Sequence, residues 1–344
     1  MSSKRITIKD ISEELGVSVG TINKVLNNKS GVSNQTRERV LRAAEKMGYR
    51  VNKVAQSMAR ATITLGIVIP TEWQGYYSLI ERGIREELDR LLDYNVEGVF
   101  YPIESTLTPT DTVAAIEKCI EDGVSGVILC DVIPTGLDGA LDRLNGLNIP
   151  TVAIGCTDNA AGRYLCAVCP DAYKSGRSAA EMLELSCGKG AELIILVGNK
   201  DRAEHAEKLR GFTDYARETD MSVVGAYETQ DDEDIAEKLL YAIASGKRTP
   251  DGIYLATCGA LSLCRLRSEL GMPVRIVGTD VTEESAEELR RGSLQCIMFQ
   301  SPKKQGAIAV RVLYEYLSER QTPERIIRIE PSVVIKSNLG AFVD

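Results

Sequence analysis

Ile8-Lys9-Asp10-Ile11-Ser12-Glu13-Glu14-Leu15-Gly16-Val17-Ser18-Val19-Gly20-Thr21-Ile22 decides how the front of this chain folds. Thr7 with Asp10 three residues on has the form of a capping box, which predicts a helix over residues 8–15 with Ile8, Ile11 and Leu15 on one apolar face. Gly16 supplies a turn. Ser18, whose side-chain oxygen accepts from the N–H groups of a following turn, opens a second helix with Ile22, Val25 and Leu26 as its buried face. A third helix starts at Ser33, carries Val40, Ala44 and Met47 at helical spacing and ends near Gly48. Helix, tight turn, helix is the pattern of a helix-turn-helix, and a core of so few apolar side chains suits a small DNA-binding module better than an enzyme.

Charge supports the same conclusion. Residues 1–60 hold twelve Lys and Arg against five Asp and Glu, a net +7, whereas the whole chain is −8 and the remainder therefore −15. A basic head on an acidic body turns its phosphate-binding surface toward DNA and keeps the body away from it. A merely solvated helical face would account for the charge but not for the turn chemistry.

The chain has 344 residues, more than one typical domain, and removing the head leaves about 280, enough for two lobes. No apolar run approaches the roughly twenty residues of a membrane span and no hydrophobic signal segment follows Lys4 and Arg5, so the expectation is a cytoplasmic protein with no membrane partner. Of nine cysteines, Cys119, Cys130, Cys156, Cys258, Cys264 and Cys296 sit in apolar stretches and read as small buried hydrophobes. Cys166 and Cys169 have metal-site spacing, but no second such pair exists and His205, the one histidine, is distant in sequence, so neither a metal nor a cofactor is expected.

Beyond a short basic linker the character changes at Ile63. Strand and helix alternate: 63–70 and 77–92, 96–101 and 110–122, 126–130 and 137–145, 151–155, 165–168 and 172–186, 193–197 and 203–219, 222–227 and 231–245, 252–256 and 259–270, 274–279 and 283–291, 294–299 and 303–319, and a last strand over 326–335. This rhythm predicts parallel sheets covered by helices on both sides. Some ten strands are many for one sheet, so two doubly wound lobes facing across a cleft are expected, with ligands at the carboxyl ends of strands.

With these units placed, the chain resembles the lactose/galactose repressor family of bacterial transcription regulators. The most specific match is Ile8-x-Asp10-Ile11-Ser12 through Gly16-Val17-Ser18 and Thr21-Ile22-Asn23-Lys24-Val25-Leu26-Asn27, then Val32-Ser33-x-x-Thr36-Arg37-x-x-Val40 and Gly48-Tyr49-x-x-Asn52-x-x-Ala55. In the body it rests on Gly211-Phe212, Val277-Gly278-Thr279-Asp280 and Gln300-Ser301-Pro302-x-x-x-Gly306. The resemblance implies a helix-turn-helix domain over 1–48, a hinge over 49–62, and a two-lobed, periplasmic-binding-protein-like effector domain over 63–344. Its N-lobe would be about 63–162 and 295–323, its C-lobe about 163–293 and 325–344. It further implies a homodimer or tetramer on palindromic operator DNA, controlled by a small metabolite.

Carried onto this sequence, the resemblance puts Val19, Gly20 and Lys24 where base edges are read. Val19 offers only a contact with a thymine methyl and Gly20 has no side chain, leaving Lys24 to hydrogen-bond guanine acceptors. Thr21, Asn23, Ser33, Asn34 and Thr36 are placed for phosphates, which fix register without reading sequence, and Thr7, Ser18 and Asn27 complete the DNA-facing set. For Ser18 and Ser33 a plain helix cap is the alternative. The hinge would push Met58, where the family usually has leucine, into the minor groove, flanked by Asn52, Ala55 and Gln56; a flexible linker is the competing reading.

For the ligand, the resemblance places Asp280 as acceptor for its hydroxyls, or else as a cap on the following helix. It sets Lys208 where the family has a ligand-gripping arginine, which keeps the charge but loses the planar fork. Thr257-Cys258 stands in place of an asparagine-aspartate pair. In a chain with 5% aromatics, Trp73, Tyr76 and Tyr77 cluster in one loop, where a sugar's C–H face could stack, although Trp73 also suits a surface anchor. Asp131, Asp158, Asp171, Lys200 and Gln300 are lesser candidates that serve equally well as caps or loop residues. A sugar, sugar derivative or polyol fits these groups, and the expected function is repression of a carbohydrate-related operon. A corepressor-dependent or activating regulator of a non-sugar metabolite such as a nucleoside stays open. Neither GxGxxG nor GxxxxGK[ST] follows any strand, and His205 lies in a charged helical stretch, so no enzymatic activity is expected.

Overall fold

The computed structural model describes residues 6–26, 30–47, 61–71, 74–104, 109–130, 136–155, 162–246, 249–257 and 261–343. Asn27, the linker residues Asn52, Ala55, Gln56 and Met58, and Trp73, Asp131, Asp158 and Cys258 lie outside them. The chain divides into two compact units, a head of Met1–Ala61 grouped with Asp93–Asn95, and a body of Thr62–Leu92 and Val96–Asp344.

Among its described residues the head has three helices, α1 (Ile8–Leu15), α2 (Val19–Leu26) and α3 (Asn34–Lys46). The expected capping box opens α1: the Asp10 N–H donates to Thr7 Oγ1 at 3.3 Å and the Thr7 N–H to Asp10 Oδ2 at 2.6 Å. Gly16 ends it at φ +63°, a backbone conformation that side chains resist and glycine adopts freely. Ser12 Oγ donates to the Val17 carbonyl at 2.7 Å and braces the turn. The anticipated faces form one cluster, with Ile11, Ile22, Val25, Val40 and Ala44 buried and Ile8, Leu15, Leu26 and Met47 packed on them.

The body begins with β1 (Ile63–Pro70), α4 (Gln74–Leu91), β2 (Val96–Ile103), α5 (Pro109–Glu121), β3 (Gly126–Cys130), α6 (Asp138–Gly146), β4 (Thr151–Ile154) and β5 (Cys166–Pro170). It continues with α7 (Ala172–Cys187), β6 (Glu192–Val197), α8 (Ala203–Glu218), β7 (Ser222–Glu228), α9 (Glu233–Ala244), β8 (Gly252–Ala256), α10 (Ser262–Glu269) and β9 (Arg275–Thr279). The last elements are α11 (Glu283–Arg291), β10 (Cys296–Phe299), α12 (Pro302–Glu319), β11 (Ile326–Ile329) and β12 (Ser332–Val334).

These strands form two six-stranded sheets, ordered β11-β5-β4-β3-β1-β2 and β12-β10-β9-β8-β6-β7. Every pairing is parallel except β12 on β10. Strands buried on both faces need apolar runs, and β3, β4, β5 and β8 are buried throughout. Cys166 and Cys169 are part of that burial in β5, and among the described residues no cluster of side chains could hold a metal.

Three expectations are corrected. The single strand expected over 326–335 is two short ones, because Glu330-Pro331 interrupts it and proline has no N–H for a ladder. β11 pairs with β5 in the first sheet and β12 with β10 in the second, so among the described residues the eleven expected strands become twelve. The chain therefore passes between lobes after β5, after β10 and after β11. Residues 166–170 and 326–329 belong to the first sheet and 296–299 to the second, the reverse of the lobe boundaries expected from sequence. Such exchange depends on which sheet edge is open, which strand periodicity does not record.

Candidate functional site

On the head, the residues expected to face DNA are spread over one side of α2. Val19 is 41% exposed, Gly20, Asn23 and Lys24 are exposed, and Thr21 is partly so, while Ile22 and Val25 point inward. Ser18 and Ser33 act as caps: the Thr21 N–H donates to Ser18 Oγ at 3.1 Å and the Thr36 N–H to Ser33 Oγ at 3.2 Å. Their oxygens also meet the Thr21 and Thr36 hydroxyls at 2.9 Å, so four polar side chains of the expected set are held in place by their own helices. Asn34 opens α3, exposed beside that cap.

In the body an open cleft with an interior of about 80 Å³ is lined, among the described residues, by Tyr76, Tyr77, Arg202, Glu204, His205, Lys208, Asp231, Ala256, Thr257, Thr279, Asp280 and Gln300. Strand ends explain its position. Thr257 follows β8, Asp280 follows β9, Gln300 follows β10, and Asp231 lies beyond β7, all at carboxyl ends of the second sheet, while Tyr76 and Tyr77 enter from the first turn of α4. The structure thus brings together Tyr76, Tyr77, Lys208, Thr257, Asp280 and Gln300. Lys200 is not among the lining residues: its Nζ donates to the Ala226 carbonyl at 3.1 Å and its backbone N–H to Glu228 at 2.8 Å. A loop lysine between two carboxyl ends of strands is drawn to the nearest carbonyl and carboxylate. Asp171 is the cap of α7, accepting from the Lys174 N–H at 3.0 Å.

Asp280 has φ +62°, unusual for a residue with a side chain, and its N–H donates to the Met298 carbonyl at 3.0 Å. Gln300 is 4% exposed and its Nε2 donates to both Asp280 oxygens, at 3.1 and 2.9 Å. Gln300 Oε1 is buried and has no hydrogen-bond partner. Gln305, buried on α12, joins the two sides by donating to the Gln300 carbonyl at 3.0 Å and to the Tyr76 hydroxyl at 3.1 Å. Burial pushes the Asp280 carboxyl up to about 6, with Lys208 and the Gln300 hydrogen bond opposing the rise and Glu204 adding to it.

Opposite, α8 places Glu204 and Lys208 one turn apart, Nζ to Oε1 2.6 Å, with the lysine side chain 2% exposed and the glutamate 16%. Burial disfavours both charges, yet each sustains the other: Lys208 holds Glu204 ionised well below the usual carboxylate range, and Glu204 keeps Lys208 protonated. Close helix packing fixes the pair. A Cβ on Gly176 of α7 would stand 2.0 Å from the Lys208 carbonyl oxygen, and one on Gly211 of α8 would stand 2.0 Å from that of Tyr173. Beneath, Phe212 stacks on buried Tyr254 at 5.7 Å, and Tyr254 accepts from Thr279 Oγ1 at 3.2 Å. His205 Nδ1 meets the Asn199 N–H at 2.9 Å and the Asn199 carbonyl oxygen at 3.1 Å, and burial and Lys208 push the imidazole down toward its neutral form. Thr257 Oγ1 donates to Asp231, which together with Gln230 adopts φ +55°.

Sequence reasoning missed Arg202, Glu204, His205, Asp231, Thr279 and Gln305. Glu204 was legible as the acid four residues before Lys208. Asp231 was hidden inside an expected helix over 231–245, whereas α9 starts two residues later and leaves it facing the cleft.

A basic helix-turn-helix head joined to a two-lobed body with a polar, aromatic-rimmed cleft defines a DNA-binding regulator with a small-molecule-binding domain. The family comparisons agree. Residues 7–52 match the model of bacterial regulatory proteins of the lacI family, and residues 65–321 match the periplasmic binding protein domain. The chain belongs to the lacI family of transcriptional regulators, in the form that carries a periplasmic binding protein domain. Catabolite control protein A of Priestia megaterium is 25% identical over 338 residues, covering 94% of this chain and 96% of the relative. A putative LacI transcriptional regulator from Bacteroides fragilis superposes with TM-score 0.66 at 19% identity, covering 82% of this chain and all of the other. An ABC transporter solute binding protein from Burkholderia graminis, in complex with D-arabinose, gives TM-score 0.74 at 18% identity over 83% of this chain and all of the other. Among the described residues no helix is long and apolar enough to cross a membrane.

Proposed function

We propose that this regulator represses a carbohydrate-related operon from the cytoplasm, as a homodimer on palindromic operator DNA, and that a sugar, sugar derivative or polyol in the cleft changes its grip. The observation that carries the ligand class is the Asp280–Gln300 pair. A carboxylate with two oxygens and an orphaned amide oxygen offer a row of acceptors, and adjacent ligand hydroxyls supply the matching donors. Tyr76 and Tyr77, with ring centroids 5.5 Å apart, add an apolar face against which a sugar's C–H groups pack. The fold shared with a D-arabinose-binding protein supports the same class.

On the DNA side Lys24 reads guanine acceptors, Val19 touches a thymine methyl and Gly20 lets the helix approach closely. Thr7, Ser18, Thr21, Asn23, Asn27, Ser33, Asn34 and Thr36 set the register on phosphates. So plain a recognition helix leaves specificity to Lys24, to the deformability of the operator and to Met58 wedged at its centre, with Asn52, Ala55 and Gln56 alongside. Control follows from linkage: a ligand that binds one lobe arrangement more tightly than another shifts the population that grips DNA, by no more than its own differential affinity. A thermal-shift screen of sugars, polyols and nucleosides tests the ligand class, since a specific ligand stabilises the native state by mass action. Stabilisation by a nucleoside and by no sugar or polyol would refute it.

A further inference from the structure

Lys208 stands where a cleft cation could grip an acidic ligand, but its ammonium is already taken. Glu204 holds it at 2.6 Å from within the same helix, and Tyr254 and Asp280 lie around it. Glu204 is also the acid in the first turn of α8, so the end of the helix that would attract an anion carries one of its own. Among the described residues the lining has three carboxylates, Glu204, Asp231 and Asp280, against two cations, Arg202 and Lys208. Gln300, a lining residue, carries a buried amide oxygen without a partner, which calls for a donor and repels an anion.

We infer that Glu204 sets the charge class of the effector: by occupying Lys208 it reserves the cleft for uncharged, hydroxyl-rich ligands and turns away their carboxylated or phosphorylated counterparts. This rests on the reading that the cleft takes a sugar or polyol and narrows it. Glu204 is a specificity-determining residue that acts through Lys208.

The test titrates the full chain with D-galactose, D-glucose, D-ribose, D-arabinose and myo-inositol, and with D-galacturonate, D-gluconate and D-ribose 5-phosphate, by calorimetry. Wild type is expected to bind a neutral compound at least tenfold tighter than its acidic counterpart. Glu204→Gln, which bares the ammonium, narrows that gap at least tenfold; adding Lys208→Gln restores it. An acidic compound bound by wild type as tightly as its neutral parent overturns the inference, as does an unmoved gap in folded Glu204→Gln. If that variant does not fold, Glu204→Asp, whose carboxylate is one methylene short of Lys208, narrows the gap at least threefold, and no change there overturns the inference equally. Failure of every sugar and polyol, neutral or acidic, to bind folded wild type is the distinct failure of the sugar reading, and this inference falls with it.

Discussion

Asp280→Asn separates what the carboxylate does for the ligand from what it costs the fold. Asparagine keeps the volume and tolerates φ near +60°, and its amide oxygen still accepts from Gln300, so the change removes little but charge. An aspartate that titrates at 3.8 when unfolded and at about 6 when folded opposes folding by about 3 kcal/mol above pH 7. Asp280 is partly exposed, and solvent screening reduces this to about 2 kcal/mol. The sign is fixed by the raised folded value: the penalty is complete above pH 6, shrinks as pH falls through it, and is gone below 3.8. Asp280→Asn is therefore expected to raise the midpoint of thermal unfolding at pH 7.5 by roughly 4 °C, and by less at pH 5. In the same protein the sugar that stabilises wild type should bind 10- to 100-fold more weakly, because a hydrogen bond to a charged acceptor is worth about 1.5–3 kcal/mol. Calorimetry and unfolding at both pH values measure the two effects. Equal destabilisation at pH 7.5 and pH 5 would refute the reasoning, since it would make the carboxylate a structural anchor and not a strained ligand acceptor.

Lys208→Met leaves Glu204 buried and uncompensated and should cost about 3–5 kcal/mol in urea unfolding, whereas replacing both residues by methionine should recover most of it; equal losses would show that the two charges do not act as a pair. Gly211→Ala sets a methyl against the Tyr173 carbonyl, so α7 and α8 must separate, at a cost of about 1–3 kcal/mol; an unchanged melting temperature would contradict that packing. Lys24→Ala should weaken operator binding by about 1–3 kcal/mol in fluorescence anisotropy with a smaller effect on random DNA, and an equal loss on both would make Lys24 a phosphate contact.

Periodicity made the elements legible, because a 3.6-residue stripe and a fully apolar strand are local properties. The predicted bounds of 8–15, 63–70 and 283–291 coincide with α1, β1 and α11. Sheet membership was not legible: β5, β10 and β11 are apolar enough for either sheet, and what decides is which edge is open when the chain returns. The cleft was half legible. Asp280, Gln300, Lys208, Thr257 and the two tyrosines could be located by resemblance to a family and by their place at strand or helix ends. Asp231 could not, because it faces the cleft only through the left-handed backbone of Gln230 and Asp231, which no side-chain pattern announces. His205 lies in a charged helical stretch of the sequence, yet it is buried and lines the cleft.

The central claim is that one chain couples a cleft ligand to DNA affinity. Its most direct measurement is the dissociation constant of the full chain for a DNA site selected from a palindromic library, with and without a saturating concentration of the stabilising sugar. A change of at least tenfold is expected for wild type and little change for Asp280→Asn at the same sugar concentration. Identical dissociation constants for wild type with and without bound sugar would contradict the claim, because a ligand with equal affinity for both lobe arrangements shifts nothing.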